Sequence, residues 1–208
     1  MSESKEFKPQ FTRGAVDVIS RKTGYAGFFQ IHKLRLRHRL FRGGWSGEME
    51  RELFVRGHAV GVLLYDPGRQ LVALTEQFRV GALERASGPW CLEVVAGMVE
   101  EGESLEEVAR RELQEEAGLQ VDRLHFIRSY LPSPGGTNER MHLFCACADL
   151  SNAEGYFGLL DEHEDIRLRV FPLDTLLEAM LSDDGIVDNA ASIISLQWLQ
   201  LNRSRLEG

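Results

Sequence analysis

Cysteine is nearly absent from this chain: its 208 residues include three, Cys91, Cys145 and Cys147. An odd count with no paired CxxC spacing excludes a disulfide framework and a zinc ribbon, and fits a reducing cytosol. Cys145 and Cys147 share one face of a strand, where burial rather than metal binding is expected. Proline is also scarce, 6 residues against 20 glycines. With 43% hydrophobic and 27% charged residues, that composition excludes collagen-like, low-complexity and disordered classes. Long apolar runs are missing. Pieces such as residues 60–65 fall far short of the roughly 18 residues a bilayer-spanning helix needs. The opening MSESKEFKPQ is polar and lacks the apolar segment of a signal peptide, so a cytoplasmic location and no membrane partner are expected. Basic charge is in deficit, Lys+Arg 24 against Asp+Glu 32 for a net charge of −8. That balance argues against nucleic acid as a general partner. The 6 histidines are scattered without HExxH spacing.

The charge that is present is unevenly placed. Residues 100–116, EEGESLEEVARRELQEE, carry eight Glu and two Arg. A second acidic knot is Asp161-Glu162-His163-Glu164-Asp165. One basic stripe, KLRLRHRLFR, runs over residues 33–42. Two acidic clusters in a chain of this size point to a cation site. The alternating arginines of the stripe read as a solvated or subunit-facing strand surface rather than an RNA contact.

Periodicity predicts strands first and a mixed region after them. Residues 15–20, 28–41 and 48–55 alternate as strands, with Leu34, Leu36 and Leu40 on one face and Arg35, Arg37 and Arg39 on the other. Gly43-Gly44 and Asp66-Pro67-Gly68 are turns. Further strands are predicted at residues 58–65, 70–78, 91–95, 123–131, 141–148 and 167–171. Helices are predicted at 104–117, 173–181 and 189–201, the last two separated by a turn at Asp183-Asp184-Gly185. This order implies a small β domain over residues 1–57 attached to an α/β domain over residues 58–208.

The helix over 104–117 carries the chemistry. Ser104 and Glu107 form a capping box, and Gly118 supplies a left-handed stop. At about 100° per residue, Leu105, Val108, Ala109, Leu113 and Ala117 share one apolar arc. Glu112 and Glu116, four residues apart, project into the middle of it, while Arg111 pairs with Glu115 on the flank and points away from them. Like charges at that spacing repel, and burying them unpaired costs several kcal/mol each. Either a hard divalent cation offsets them, for which Mg²⁺ shared with water and phosphate is suited, or the face is half buried and both reach solvent.

The wider spacing decides between these. Gly97, five residues, Glu103, seven residues, Arg111-Glu112-Leu113, one residue, Glu115-Glu116, one residue and Gly118-Leu119 together make a complete Nudix box. Seven fixed positions coincide by chance on the order of 10⁻⁸ per start point at about 7% background usage. The chain therefore resembles the Nudix hydrolases, and within them the ADP-ribose pyrophosphatases. That resemblance implies an α/β/α sandwich around a mixed sheet, in the α/β (α+β) class, with a small N-terminal antiparallel sheet used for dimerisation and substrate binding. It implies Mg²⁺, with Mn²⁺ as a substitute and two or three ions per site, and hydrolysis of ADP-ribose to AMP and ribose 5-phosphate. GDP-mannose is the alternative substrate. A non-catalytic nucleotide-binding regulator is disfavoured by the intact box and the lack of a DNA-binding extension.

Residue roles follow from the same resemblance. Glu112 and Glu116 are the principal metal ligands, with the Ala96 carbonyl, Glu115 and Glu164 as further ones. Gly97, Glu103 and Arg111 support the loop and helix. Glu162 takes the proton from the attacking water, although the sequence alone does not separate it from Glu164. Phe28 and Phe29 are a stacking platform, Arg51, Arg56 and Arg79 are phosphate or ribose contacts, and Glu52, Met98, Ser133, Pro134, Gly135 and Glu139 line the remainder. The ADP-ribose pyrophosphatases exchange the N-terminal sheet between two subunits, so a homodimer with shared active sites is expected.

Overall fold

A computed structural model describes residues 8–159, 161, 163–182 and 186–206. The chain forms two compact units. One comprises Met1–Arg56 with Ser133–Asn138, and the other comprises Gly57–Pro132 with Glu139–Gly208.

In the first unit the alternating segments become β1 (Val16–Ala26), β2 (Gln30–His38) and β3 (Met49–Val55), paired antiparallel in the order β1-β2-β3. The tight link before β3 uses Gly43 and Gly44 at φ +90° and +75°, a backbone region that side chains rarely adopt. The basic stripe is largely neutralised within its own sheet. Arg35 pairs with Glu48 at 3.4 Å and Arg37 with Asp17 at 3.0 Å. Arg37 and Arg39 also lie over the Trp45 ring at 5.0 and 4.5 Å. No described residue of this unit is buried. Ser133–Asn138, expected within the α/β domain, instead groups with this unit. The reason is backbone pairing: the Phe54 N–H donates to Gly136 O at 2.8 Å, and the Asn138 N–H donates to Phe54 O at 3.3 Å.

The second unit holds the core. Its elements are β4 (Ala59–Asp66), β5 (Leu71–Phe78), β6 (Trp90–Glu93), β7 (Val95–Met98), α1 (Leu105–Ala117), β8 (Leu124–Tyr130), β9 (Met141–Cys147), β10 (Gly155–Phe157), β11 (Ile166–Pro172), α2 (Leu173–Leu181) and α3 (Ala190–Asn202). The strands form one sheet, β10-β11-β5-β4-β9-β8, with β6 on β5 and β7 on β4. Among the described residues only the β4–β9 pair is parallel, so the sheet is mixed. Every residue of β4 is buried, as a strand covered on both faces requires. Val60, Val62 and Leu64 pack with Val108, Ala109 and Leu113 of α1. Leu63 and Tyr65 pack on the opposite face with Leu173, Leu176, Leu196 and Leu199 of α2 and α3. Cys145 is buried in that second layer and Cys147 packs against it. The unit is an α/β/α sandwich.

Two elements differ from the sequence-based expectation. The single strand expected at 91–95 is two strands, because the chain changes partner from β5 to β4 there. At the switch the Val94 N–H leaves the ladder and donates to Ser192 Oγ of α3 at 3.2 Å. β10 is only three residues long and contains one glycine, too short for alternation to announce it. The turn expected at 183–185 lies outside the described residues. Ser192 is fully buried, so Ser192→Ala leaves the Val94 N–H without an acceptor. Urea unfolding of that variant is expected to show a loss of about 1–3 kcal/mol; an unchanged midpoint would refute the role of this bond.

Candidate active site

Helix α1 is fixed at both ends, and that sets the phase of its side chains. The Glu107 N–H donates to Ser104 Oγ at 3.3 Å, and the Ser104 N–H donates to Glu107 Oε2 at 2.8 Å. Gly118 at φ +63° closes the last turn, its N–H donating to Gln114 O at 3.2 Å. Between these caps Glu112 and Glu116 are 7% and 3% exposed. They sit on the face that packs against the sheet, among Val108, Ala109, Leu113 and Ala117.

Strand β7 passes directly beside both carboxylates. The Ala96 N–H donates to Glu116 Oε2 at 3.0 Å. At Gly97 a Cβ would overlap the Glu112 carboxylate, so only glycine leaves room for that side chain. Arg111 does not point away as its helical position suggested. Its long side chain curls back, and Nη1 donates to Glu112 Oε1 at 2.6 Å and to Glu115 Oε2 at 3.4 Å. The opposite edge of the guanidinium engages Glu103 through Nε at 3.1 Å and Nη2 at 3.0 Å, with Met98 O accepting from Nη2 at 3.2 Å. Glu103, Arg111, Glu112, Glu115 and the Met98 backbone are thus brought together around one cation.

Burial dominates the electrostatics. It pushes Glu112 up to about 7, with Arg111 opposing and Glu115 and Glu164 adding. It pushes Glu116 up to about 8, opposed by the Ala96 N–H and Arg79, with Glu112 and Glu164 adding. Arg111 is held above its usual range, chiefly by its hydrogen bonds to Glu103. Glu164 is therefore close enough to act on both carboxylates. Glu164 bonds to Leu159 in both directions: the Leu159 N–H donates to Glu164 Oε2 at 3.3 Å, and the Glu164 N–H donates to Leu159 O at 3.2 Å. Glu162 lies outside the described residues. Arg79 extends β5 and donates through Nε to Glu93 Oε2 at 2.6 Å. Glu139 is 8% exposed, and its charge adds to the burial that pushes the Tyr130 phenol up to about 12.

The remaining expected contacts belong to the first unit. The Phe28 and Phe29 rings meet edge to face at 4.7 Å, and Phe29 meets Phe54 at 5.1 Å. Phe28 is 87% exposed, and the Arg56 guanidinium lies 5.4 Å from the Phe29 centroid. Arg51 Nη1 donates to Glu50 O at 2.7 Å, while Glu52 pairs with Lys33 at 3.8 Å. Ser133 O accepts from the N–H groups of Gly136 and Thr137 at 3.1 and 3.0 Å, which leaves Pro134 and Gly135 exposed at the tip of the turn. Sequence reasoning overlooked Glu93. Its signal was there, as a lone carboxylate in the otherwise apolar run Cys91-Leu92-Glu93-Val94-Val95.

Among the described residues no three His, Cys, Asp or Glu side chains are arranged as a preformed metal site; the Arg111 guanidinium supplies the positive charge among Glu103, Glu112 and Glu115. The donor set nevertheless fits a hard cation. Two buried oxygen ligands stand one turn apart, backbone passes beside them, and Gly97 keeps the cradle open.

A model of the NUDIX domain family matches residues 55–190, and the chain belongs to that family. An ADP-ribose pyrophosphatase of Escherichia coli K12 is 49% identical over 197 residues, covering 95% of this chain and 93% of that protein. An ADP-ribose pyrophosphatase of Haemophilus influenzae is 43% identical over 210 residues, covering 100% and 94%. A GDP-mannose pyrophosphatase of Pectobacterium atrosepticum is 30% identical over 183 residues, covering 88% and 92%. Among solved structures, the crystal structure of an ADP compounds hydrolase matches with a TM-score of 0.68 at 20% identity, covering 93% of this chain and 97% of that one. That likeness shows a common fold.

Two predictions follow from the buried pair. Carboxylates whose folded pKa is raised bind protons more tightly in the native state, so their contribution is full below the unfolded pKa near 4.5 and is lost as pH rises through about 7 and about 8. The melting temperature of metal-free protein is therefore expected to fall, relative to the E112Q/E116Q variant, between about pH 5 and about pH 9. Parallel curves for the two proteins would contradict this. Gly97→Ala forces the Glu112 carboxylate aside and is expected to abolish most activity while circular dichroism stays native; wild-type turnover would show that the contact is unimportant.

Proposed function

We propose that this protein is a divalent-cation-dependent hydrolase that splits ADP-ribose into AMP and ribose 5-phosphate. The observation that carries the reading is the pair Glu112 and Glu116, buried one turn apart on the inner face of α1. Relatives that bear the ADP-ribose pyrophosphatase name align over nearly the whole chain. A GDP-mannose pyrophosphatase aligns at lower identity.

Glu112 and Glu116 hold Mg²⁺, with the Ala96 carbonyl, Glu115 and Glu164 as further oxygen donors and two or three ions per site. A divalent cation in such a setting polarises phosphoryl oxygens and lowers the pKa of water. The protein's groups do the rest. Glu103 braces Arg111, which keeps the helix carboxylates oriented. Glu162 accepts the proton of the attacking water, because carboxylates committed to a cation are poor bases. The water oxygen bonds to one phosphorus, the bridging P–O bond breaks, and the bridging oxygen stays on the other phosphate. Arg79 offsets phosphate charge. Phe28 and Phe29 offer a face for the adenine, Arg51 and Arg56 meet phosphate or ribose, and Glu52, Met98, Ser133, Pro134, Gly135 and Glu139 complete substrate binding.

We propose a homodimer as well. A three-stranded sheet without a single buried residue has no core of its own and gains stability by covering a face. The cytoplasm is the proposed compartment, in keeping with the free cysteines Cys91, Cys145 and Cys147.

A substrate panel scored for released phosphomonoester tests the assignment. Faster turnover of GDP-mannose than of ADP-ribose would overturn it. Glu112→Gln and Glu116→Gln are each expected to lower kcat by about two to four orders of magnitude with folding intact; near-normal turnover of either variant would remove the cation assignment. Hydrolysis in ¹⁸O water identifies the attacked phosphorus by which product carries the label.

A further inference from the structure

Two arginines act on the buried carboxylates, and each is held by another glutamate. Arg111 lies between Glu112 and the two oxygens of Glu103. Arg79 repeats the arrangement on the sheet side, with Glu93 Oε2 accepting from its Nε at 2.6 Å. Strand pairing produces this contact. Thr75 faces Glu93 and Gln77 faces Cys91 across the β5–β6 ladder, and Thr75 Oγ1 donates to Glu93 O at 3.2 Å. Ala73, Thr75, Gln77 and Arg79 alternate onto the α1 side of the sheet, where Ala73 packs in one cluster with Val108 and Leu113.

Glu93 is itself anchored. Leu92 O accepts from Asn189 Nδ2 at 2.7 Å, and the Val94 N–H donates to Ser192 Oγ at 3.2 Å. Both flanking residues of Glu93 are thus tied to the start of α3, which fixes the backbone from which its carboxylate reaches Arg79. The Arg79 charge meanwhile acts on two carboxylates, Glu93 and Glu116. The hydrogen bond of the guanidinium goes to Glu93, while Glu116 feels its charge alone.

We infer that Glu93 is a positioning residue that holds Arg79 off Glu116, leaving that carboxylate free for a divalent cation and Arg79 free to face phosphate. The inference rests on the cation-dependent reading above. With Glu93 neutralised, Arg79 keeps its attraction to Glu116, and arginine then competes with the cation for it. Glu93 serves Arg79 as Glu103 serves Arg111, from a strand rather than from the loop before the helix.

Titration of the full chain with Mn²⁺, followed by the electron paramagnetic resonance signal of the free ion, tests this. Glu93→Gln is expected to weaken Mn²⁺ binding about three- to tenfold, and to have no effect in an Arg79→Gln background. In steady-state kinetics the same variant raises KM for ADP-ribose more than it lowers kcat. Glu93→Asp keeps the charge on a shorter stem and retains more of the affinity, so either variant that folds decides the question. Unchanged Mn²⁺ binding in E93Q, or an equal loss with and without Arg79, would overturn the inference. Wild-type protein that takes up no Mn²⁺ is a distinct result, overturning the cation reading and this inference with it.

Discussion

Glu112 and Glu116 occupy positions where a helix ordinarily places leucine, and their desolvation is the constraint that the rest of the site answers. An ionised carboxylate in such surroundings needs hydrogen bonds and positive charge close by. Each of the two has a different supply. Glu112 has the Arg111 guanidinium at 2.6 Å, and Glu116 has the Ala96 N–H at 3.0 Å and the charge of Arg79. Neither arrangement is enough to restore an ordinary carboxylate pKa, since burial still raises both. The pair is thus poised to take up further positive charge, which suits a site for cations and the phosphates they bind.

The sandwich makes that position possible. Because α2 and α3 cover one face of the sheet and α1 the other, the strands beneath α1 are covered on both faces, and a carboxylate lowered onto them is largely desolvated. The partner change between β6 and β7 then matters twice. It brings Ala96 and Gly97 alongside α1, and it aims Glu93 at Arg79 from the preceding strand. Ser192 accepts the N–H freed at Val94, so the irregularity that shapes the site is stabilised from the far side of the sheet.

Much of this was legible beforehand, for physical reasons that can be named. The capping box and Gly118 mark the ends of α1 because the residues that satisfy orphan N–H and C=O groups are few and local. Two acidic residues inside an apolar arc are visible because helical periodicity is regular. The strands of the core announced themselves by continuous apolar runs or strict alternation. Arg111 was misread because spacing locates a Cα, whereas a guanidinium reaches several ångströms beyond it and turns toward the charge it prefers. Glu93 escaped notice because its meaning depends on Arg79, fourteen residues earlier, and on a strand pairing that no local pattern encodes. Ser133–Asn138 sat with the other unit for the same kind of reason, a backbone bridge to Phe54 distant in sequence.

By itself the sequence determined the helix that carries the acidic pair, the family pattern around it and the alternation of core strands. Each of these depends on residues within a few turns of one another. The tertiary structure alone decided how deeply Glu112 and Glu116 are buried, which glutamate holds which arginine, and where β6 gives way to β7. Those outcomes depend on contacts between segments tens of residues apart, set by packing and desolvation rather than by local conformational preference.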